Sequence, residues 1–366
     1  MVPAAVSNTE TLPSRSGKTK SYPKPLKSSG ALAKFKWEDV TPVIGREFPT
    51  VDLVDDILHA ANSDELVRDL AIDISQRGVA FFRAQDNLTD KLQKELVHRL
   101  GQLSGKPSDS TLHVHPILNN TTEFGVVDAE ISPVSSIQRK ALIHLAPPPT
   151  KRRYDYFSQW HSDIQYEPVP ADYTSLRLTQ LPTTGGDTLW ASGYELYDRF
   201  SKPYQKLFEG LTVTCVADGF LKYASTYPDM VKLYEEPRGS PANVGSSLSA
   251  VHPVVRTNPV TGWKSIFAFG PFSRRINELE LQESDELLEK FGQMIVENHD
   301  LQVRFRWRNK NDIAIWDNRS VYHCATYDYD QGYGERVGNR AVGIGEAPYF
   351  DPNSKSRSEE LFGTSG

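Results

Sequence analysis

The chain has 366 residues, 38% hydrophobic and 10% aromatic, with a formal net charge of -6. That is apolar material for a sizeable core, and the acidic balance argues against a nucleic-acid binder, which presents basic stripes. Two thiols, Cys215 and Cys324, make no disulfide scaffold and suit a reducing, cytoplasmic setting. No run approaches the about 18 apolar residues of a membrane span, and Met1–Ala4 opens no secretory leader.

Residues 1–36 are rich in Ser, Pro and Lys without hydrophobic periodicity and are expected to be a flexible tail, as are residues 353–366. Residues 37–352 read as one domain. Leu53–Ala61 and Asp64–Gln76 carry helical spacing, Gly78 stops the second helix, and Val79-Ala80-Phe81-Phe82 reads as a buried strand. Thr89–Leu100 is a further amphipathic helix, N-capped by Thr89 and closed by Gly101. From Leu112 onward the pattern changes to short β-branched runs between turn signals: Tyr173–Leu178, Thr188–Trp190, Ser265–Phe269, Leu301–Trp307 and Asp312–Trp316. Such strands predict an antiparallel sandwich or barrel, with Arg308–Asn311 as a hairpin turn between the last two. Helices are expected at Tyr194–Glu209 and Ser284–Asn298.

Chemistry concentrates at Trp160-His161-Ser162-Asp163. On a strand, His161 and Asp163 point to one face and can approach one metal ion together. A third ligand would complete the two-histidine, one-carboxylate face that leaves positions open for oxygen chemistry. His323 follows the strand Asp312–Trp316 and the turn Asp317–Ser320. Nearby Arg336 and Arg340 are four apart and share a face if Gly334–Ile344 is a strand, which suits two anions, since guanidinium forks bind carboxylates bidentately.

These residues sit in longer segments: His113-Val114-His115-Pro116, Leu181–Trp190 with its Gly185-Gly186-Asp187-Thr188 core, His252–Pro259 and Asn311–Arg319. Together with Trp160–Asp163 they resemble the taurine dioxygenase (TauD-like) family of iron(II)/2-oxoglutarate dioxygenases, in its fungal alkylsulfonate-dioxygenase-like branch, over about Trp37 to Pro352. The resemblance implies a double-stranded β-helix (jelly-roll), cupin-like core decorated by α-helices. It implies Fe(II), 2-oxoglutarate and O2, with His161, Asp163 and His323 as iron ligands and Thr188 and Arg336 on the 2-oxoglutarate carboxylate. Arg340 and His115 match the positions around the substrate anion.

Two positions depart from the taurine enzyme: Leu118 replaces a tyrosine and Phe157 an asparagine. Both make the substrate side more apolar. Phe272 lies in a segment resembling the family's substrate-facing strand, and Phe267 and Phe269 are further candidates for the lining. Residues 119–151 read as an insertion expected to act as a lid. The expected substrate is a small anion, foremost an alkylsulfonate hydroxylated to aldehyde plus sulfite. A carboxylate or amino acid that is hydroxylated, desaturated or cyclised is the alternative. A non-catalytic binding protein and a zinc hydrolase are the remoter ones. No nucleic acid and no membrane is expected as a partner, and a homo-oligomer stays open.

Overall fold

The computed structural model describes residues 21–118, 128–137, 157–229, 231–329 and 332–363. Its strands are β1 (Glu38–Asp39), β2 (Arg46–Phe48), β3 (Val79–Phe82), β4 (Ile131–Ser135), β5 (Ala171–Gln180), β6 (Thr188–Ser192), β7 (Thr212–Val216), β8 (Ser249–Pro253), β9 (Val255–Thr257), β10 (Lys264–Ile266), β11 (Ser273–Ile276), β12 (Gln302–Phe305), β13 (Ile313–Asp317), β14 (Val321–Ala325) and β15 (Val337–Ile344). The helices are α1 (Ser63–Arg77), α2 (Asp90–Leu103), α3 (Gly193–Asp198), α4 (Lys202–Phe208), α5 (Asp218–Thr226), α6 (Leu281–Glu297) and α7 (Arg357–Phe362). None is long and apolar enough to cross a membrane.

Alternation along the strands explains the layers. A seven-stranded sheet runs β1-β2-β3-β13-β5-β15-β4, and a three-stranded sheet runs β12-β6-β14. Phe81, Leu176, Leu178, Ala314 and Trp316 from the large sheet meet Trp190, Val303, Phe305 and Val321 from the small one in a shared core. The neighbours of these residues, Ala80, Phe82, Tyr173, Ile313 and Ile315, point the other way, onto apolar residues of α1 and α2. The outer face of the small sheet, with Ala191, Tyr322 and Cys324, is covered by α4, α6 and the strands that flank them. Strands buried on both faces account for the continuous apolar runs.

Thr89 caps α2 as expected, its hydroxyl accepting from Leu92 N at 3.3 Å. Gly101, however, does not close that helix, which runs on to Leu103. The glycine is required because buried Asp172 and Lys106 press against the helix there. A Cβ at Gly101 would collide with the Asp172 carboxylate and lie 2.6 Å from Lys106 Cδ. Gly101→Ala is therefore expected to lower unfolding free energy by about 1–3 kcal/mol, the usual cost of overpacking, read by chemical denaturation.

Three other expectations change. Arg308–Asn311 is not a hairpin turn: β12 pairs with β6 and β13 with β3 and β5, so the turn carries the chain from one sheet to the other. It is shaped by Asp312, whose Oδ2 accepts from Arg308 N at 2.9 Å and Asn309 N at 3.0 Å. Residues 21–36, read as tail, are docked on the domain. Asp69, buried in α1, accepts from Ser28 Oγ and from the backbone N–H groups of Ser29, Gly30 and Ala31 at 2.8–3.0 Å. Beyond residue 353, α7 is capped by Ser356 and pinned by Arg357 to Glu195 at 2.7 Å. Residues 119–127 and 138–151 of the expected lid lie outside the described residues. Residues 128–137 supply β4, which pairs antiparallel with β15 from Ile131↔Ala341 to Ser135↔Val337.

Candidate active site

His161 and Asp163 do not lie on a regular strand. His161 forms an isolated antiparallel bridge with His323 of β14, its N–H donating to His323 O at 3.0 Å and its carbonyl oxygen accepting from His323 N at 2.8 Å. A turn follows, with Ile164 in the left-handed region at φ 62. The bridge and the turn do what the expected strand would have done. One ligand atom from each of His161, Asp163 and His323 lies within 4.8 Å of the others. Asp163 Oδ1 is 3.8 Å from His161 Nε2 and 3.9 Å from His323 Nε2.

The remaining atoms are turned away from this focus. His161 Nδ1 contacts Gln159 O at 2.8 Å, which leaves Nε2 as the inward donor. Trp316 packs its ring 4.8 Å from that of His323, and Cys324 faces the opposite side, into the core beneath α6. Burial would raise the Asp163 carboxyl, but Arg340, His323 and His161 outweigh it and hold the group down at about 2. Burial, then the neighbouring His161, holds His323 near 3, so it stays neutral. Two imidazoles and one carboxylate are a donor set that fits a divalent first-row cation such as iron(II).

Arg336 and Thr188 are brought together. Arg336 is buried, donates from Nε to Gly186 O at 2.8 Å and from Nη2 to Thr188 Oγ1 at 3.1 Å. Trp307 completes the cluster, its Nε1 donating to the same hydroxyl at 3.2 Å. Sequence reasoning missed Trp307. Trp307 ends the run Leu301–Trp307 that reads as a strand, but the pairing of β12 with β6 that brings it to Thr188 is a tertiary fact. The backbone of Arg336 is clasped by Ser136, just past β4: Arg336 N donates to Ser136 Oγ at 2.9 Å and Ser136 N to Arg336 O at 2.9 Å. Arg336 precedes β15 and Arg340 lies on it.

Arg340 reaches the metal-ligand set. Its Nη1 donates to Asp163 Oδ1 at 2.9 Å, while its buried Nε has no hydrogen-bond partner among the described residues. His115 is buried nearby. Its Nδ1 accepts from Ile117 N at 3.2 Å and Leu118 N at 3.1 Å, which assigns the proton to Nε2. His115 also opens an aromatic group: its ring lies 5.1 Å from Phe220, which lies 5.6 Å from Tyr166, itself 4.9 Å from Phe272. Phe272 thus joins His115 through Tyr166 and Phe220, neither of which the sequence singled out.

Phe157 and Phe269 are placed elsewhere. Phe157 packs on Phe269 with ring centroids 5.3 Å apart, in a cleft against Leu288 of α6. Phe267 stacks under Arg256, 4.6 Å from its guanidinium carbon. Leu118 is half-buried and is met in this site through its N–H.

Burial also lowers His115, with Arg340 adding to the effect, to about 3, and His252 to about 4, against 6.5 for an exposed imidazole. With His323, these folded values lie below the unfolded one. The stability they confer is therefore full above pH 6.5 and is lost as the pH falls through 6.5 toward 4 and 3. Each contributes about 1.4 kcal/mol per pH unit within its window. The melting temperature of the metal-free protein is expected to fall continuously between pH 6.5 and 4.5, and a flat profile would contradict this burial of neutral histidines.

Comparison with known proteins bears on the same residues. The family described as Taurine catabolism dioxygenase TauD, TfdA family matches residues 36–342. The chain is 50% identical over 343 residues to the alpha-ketoglutarate-dependent dioxygenase oryG of Aspergillus oryzae, covering 93% of this chain and 96% of that one. It is 30% identical over 306 residues to the alpha-ketoglutarate-dependent sulfonate dioxygenase of Saccharomyces cerevisiae, covering 82% and 65% respectively. A taurine dioxygenase structure from Burkholderia xenovorans superposes with a TM-score of 0.62 at 22% identity, covering 87% of this chain and 92% of that one. That likeness identifies the packed sheets as the double-stranded β-helix.

Proposed function

The chain belongs to the TauD, TfdA family and is a 2-oxoglutarate-dependent dioxygenase, and on that premise we propose that it oxidises a C–H bond of a small anion with an apolar tail, foremost an alkylsulfonate. The observation that carries this reading is Arg340. One of its N–H groups already reaches Asp163 Oδ1 at 2.9 Å, and its buried Nε has no hydrogen-bond partner among the described residues. An anion held there has its adjacent carbon beside the three metal-ligating side chains. His115, a donor through Nε2, and the ring group of Tyr166, Phe220 and Phe272 supply one polar and several apolar walls.

His161, Asp163 and His323 would hold iron(II), and Arg336 with Thr188 would take the distal carboxylate of 2-oxoglutarate. Bound iron(II), 2-oxoglutarate and O2 supply the oxidising power, the keto acid leaving as succinate and carbon dioxide while one oxygen atom enters the substrate C–H bond. The protein's part is placement. Arg340 selects the carbon that faces the metal, and a misplacement of about 1 Å costs roughly 100-fold in rate. A hydroxylated carbon bearing a sulfonate then releases sulfite and leaves an aldehyde. The similarity to a sulfonate dioxygenase supports that class.

The test is a substrate panel read for both succinate and sulfite: alkylsulfonates of increasing chain length, taurine, matched carboxylates and amino acids. Expected is succinate with equimolar sulfite from the longer alkylsulfonates and poor turnover of taurine. Turnover of carboxylates or amino acids with no sulfite from any sulfonate would transfer the assignment to the carboxylate class.

A further inference from the structure

The two oxygens of Asp163 are treated differently by their surroundings. Oδ1 faces His161 Nε2, His323 Nε2 and Arg340. Oδ2 instead lies 3.1 Å from the hydroxyl of Thr174, on β5. We propose that Thr174 is a positioning residue that fixes which oxygen of Asp163 faces the metal.

The direction of every hydrogen bond behind Thr174 can be deduced. Trp316 Nε1 and the backbone N–H of Asp163 can only donate, and both meet Asn318 Oδ1, at 3.0 and 3.2 Å. The amide oxygen of Asn318 is thereby identified, so its Nδ2 donates to Thr174 Oγ1 at 2.7 Å and to Asp172 O at 3.1 Å. A threonine hydroxyl has one hydrogen. With Oγ1 accepting from Asn318, that hydrogen points to Asp163 Oδ2. Thr174, Asn318 and Trp316 are each no more than 1% exposed, so no solvent competes for these bonds.

The consequence is chemical. The terminal torsion of an aspartate is soft, and without a partner either oxygen, or both, can turn to a cation. Thr174 occupies Oδ2 and leaves Oδ1 as a single-atom ligand. One position is thus kept open that a two-oxygen grip would close. The chain of bonds runs from β13 through the turn after it to β5, so two strands of the large sheet set the orientation of a residue that belongs to neither.

This inference rests on the metal-site reading above, and its test separates the two. The full chain would be titrated anaerobically with Co(II) and Fe(II). The visible spectrum of bound Co(II) reports the coordination geometry. Thr174→Val is expected to weaken metal affinity by about 10- to 100-fold, the usual range for an outer partner of a metal ligand, and to change the Co(II) spectrum. Thr174→Ser, which keeps the hydroxyl, is expected to restore both. Thr174→Ala only removes atoms and carries the same expectation as the valine variant should that one not fold. Wild-type affinity and spectrum in the valine or alanine variant, or a folded serine variant that restores neither, would overturn the role of Thr174. His161→Ala is the control for the underlying site. Metal binding unchanged in that variant would overturn the site itself, whereas its loss beside an unaffected Thr174→Val removes only the positioning role.

Discussion

Asp163→Ala is expected to abolish 2-oxoglutarate turnover and to lower iron(II) affinity by about 1000-fold or more. The reasoning starts from charge. The carboxylate is the sole anionic member of the three-residue set and sits within 4 Å of both histidine Nε2 atoms. Losing an outer partner of a ligand already costs about 10- to 100-fold, and losing the charged ligand itself costs more. The variant also leaves Arg340 without its 2.9 Å partner in a site where the Asp163 side chain is only 5% exposed. Arg340 itself is 20% exposed, so solvent relieves part of that penalty, and the protein is expected to remain folded with a modestly lower melting temperature. The check is the weak visible band that the iron(II)–2-oxoglutarate chelate gives under anaerobic conditions. Its survival in Asp163→Ala would remove Asp163 from the metal site.

Arg336→Ala is expected to raise the KM for 2-oxoglutarate by roughly 100-fold while leaving iron(II) affinity measured without 2-oxoglutarate unchanged. A charge-assisted, two-pronged contact with a carboxylate contributes about 2–3 kcal/mol, and each 1.4 kcal/mol is tenfold. Arg336 is suited to such a contact because it is already held. Gly186 O and Thr188 Oγ1 fix the guanidinium plane, and Ser136 fixes the backbone. Arg336→Lys keeps the charge without the fork and is expected to fall between the two. Thr188→Val removes one neutral hydrogen-bonding group and is expected to cost about tenfold or less. Equal loss of iron(II) affinity in Arg336→Ala would mean that the arginine supports the metal set itself. Initial rates with varied 2-oxoglutarate, set beside a metal titration, distinguish the outcomes.

Much of this site was legible before any coordinates. The H-x-D spacing is a weak signal alone, and His161, Asp163 and His323 stand out through the longer segments around them that resemble the TauD-like family, as Thr188 does through the Gly185–Trp190 segment. Arg336 and Arg340 read as a pair from a strand spacing of four, but only Arg340 lies on β15 and Arg336 precedes it. What failed was local geometry. His161 and Asp163 share a focus through a single bridge to His323 and a left-handed residue, Ile164, and not through strand alternation. The family resemblance also placed Phe157 near the substrate, yet its ring packs against Phe269 beside α6. An aromatic side chain seeks whichever apolar surface is within reach, and sequence does not say which one that is.

The sequence by itself determined the chemistry: which residue types are available to bind a cation and two anions, the alternation that builds strands buried on both faces, and the capped helix beginning at Asp90. Only the tertiary structure decided the partners. Trp307 reaches Thr188 because β12 pairs with β6, Gly101 is a glycine because Asp172 arrives from β5, and Ser136 holds Arg336 because β4 pairs with β15. The same holds for the line from Trp316 through Asn318 and Thr174 to Asp163. The physical reason is range. Propensity, periodicity and capping act over a few residues along the chain, whereas a hydrogen bond or a steric contact between strands depends on their register. Register is fixed only when both layers of the sandwich bury their apolar faces together.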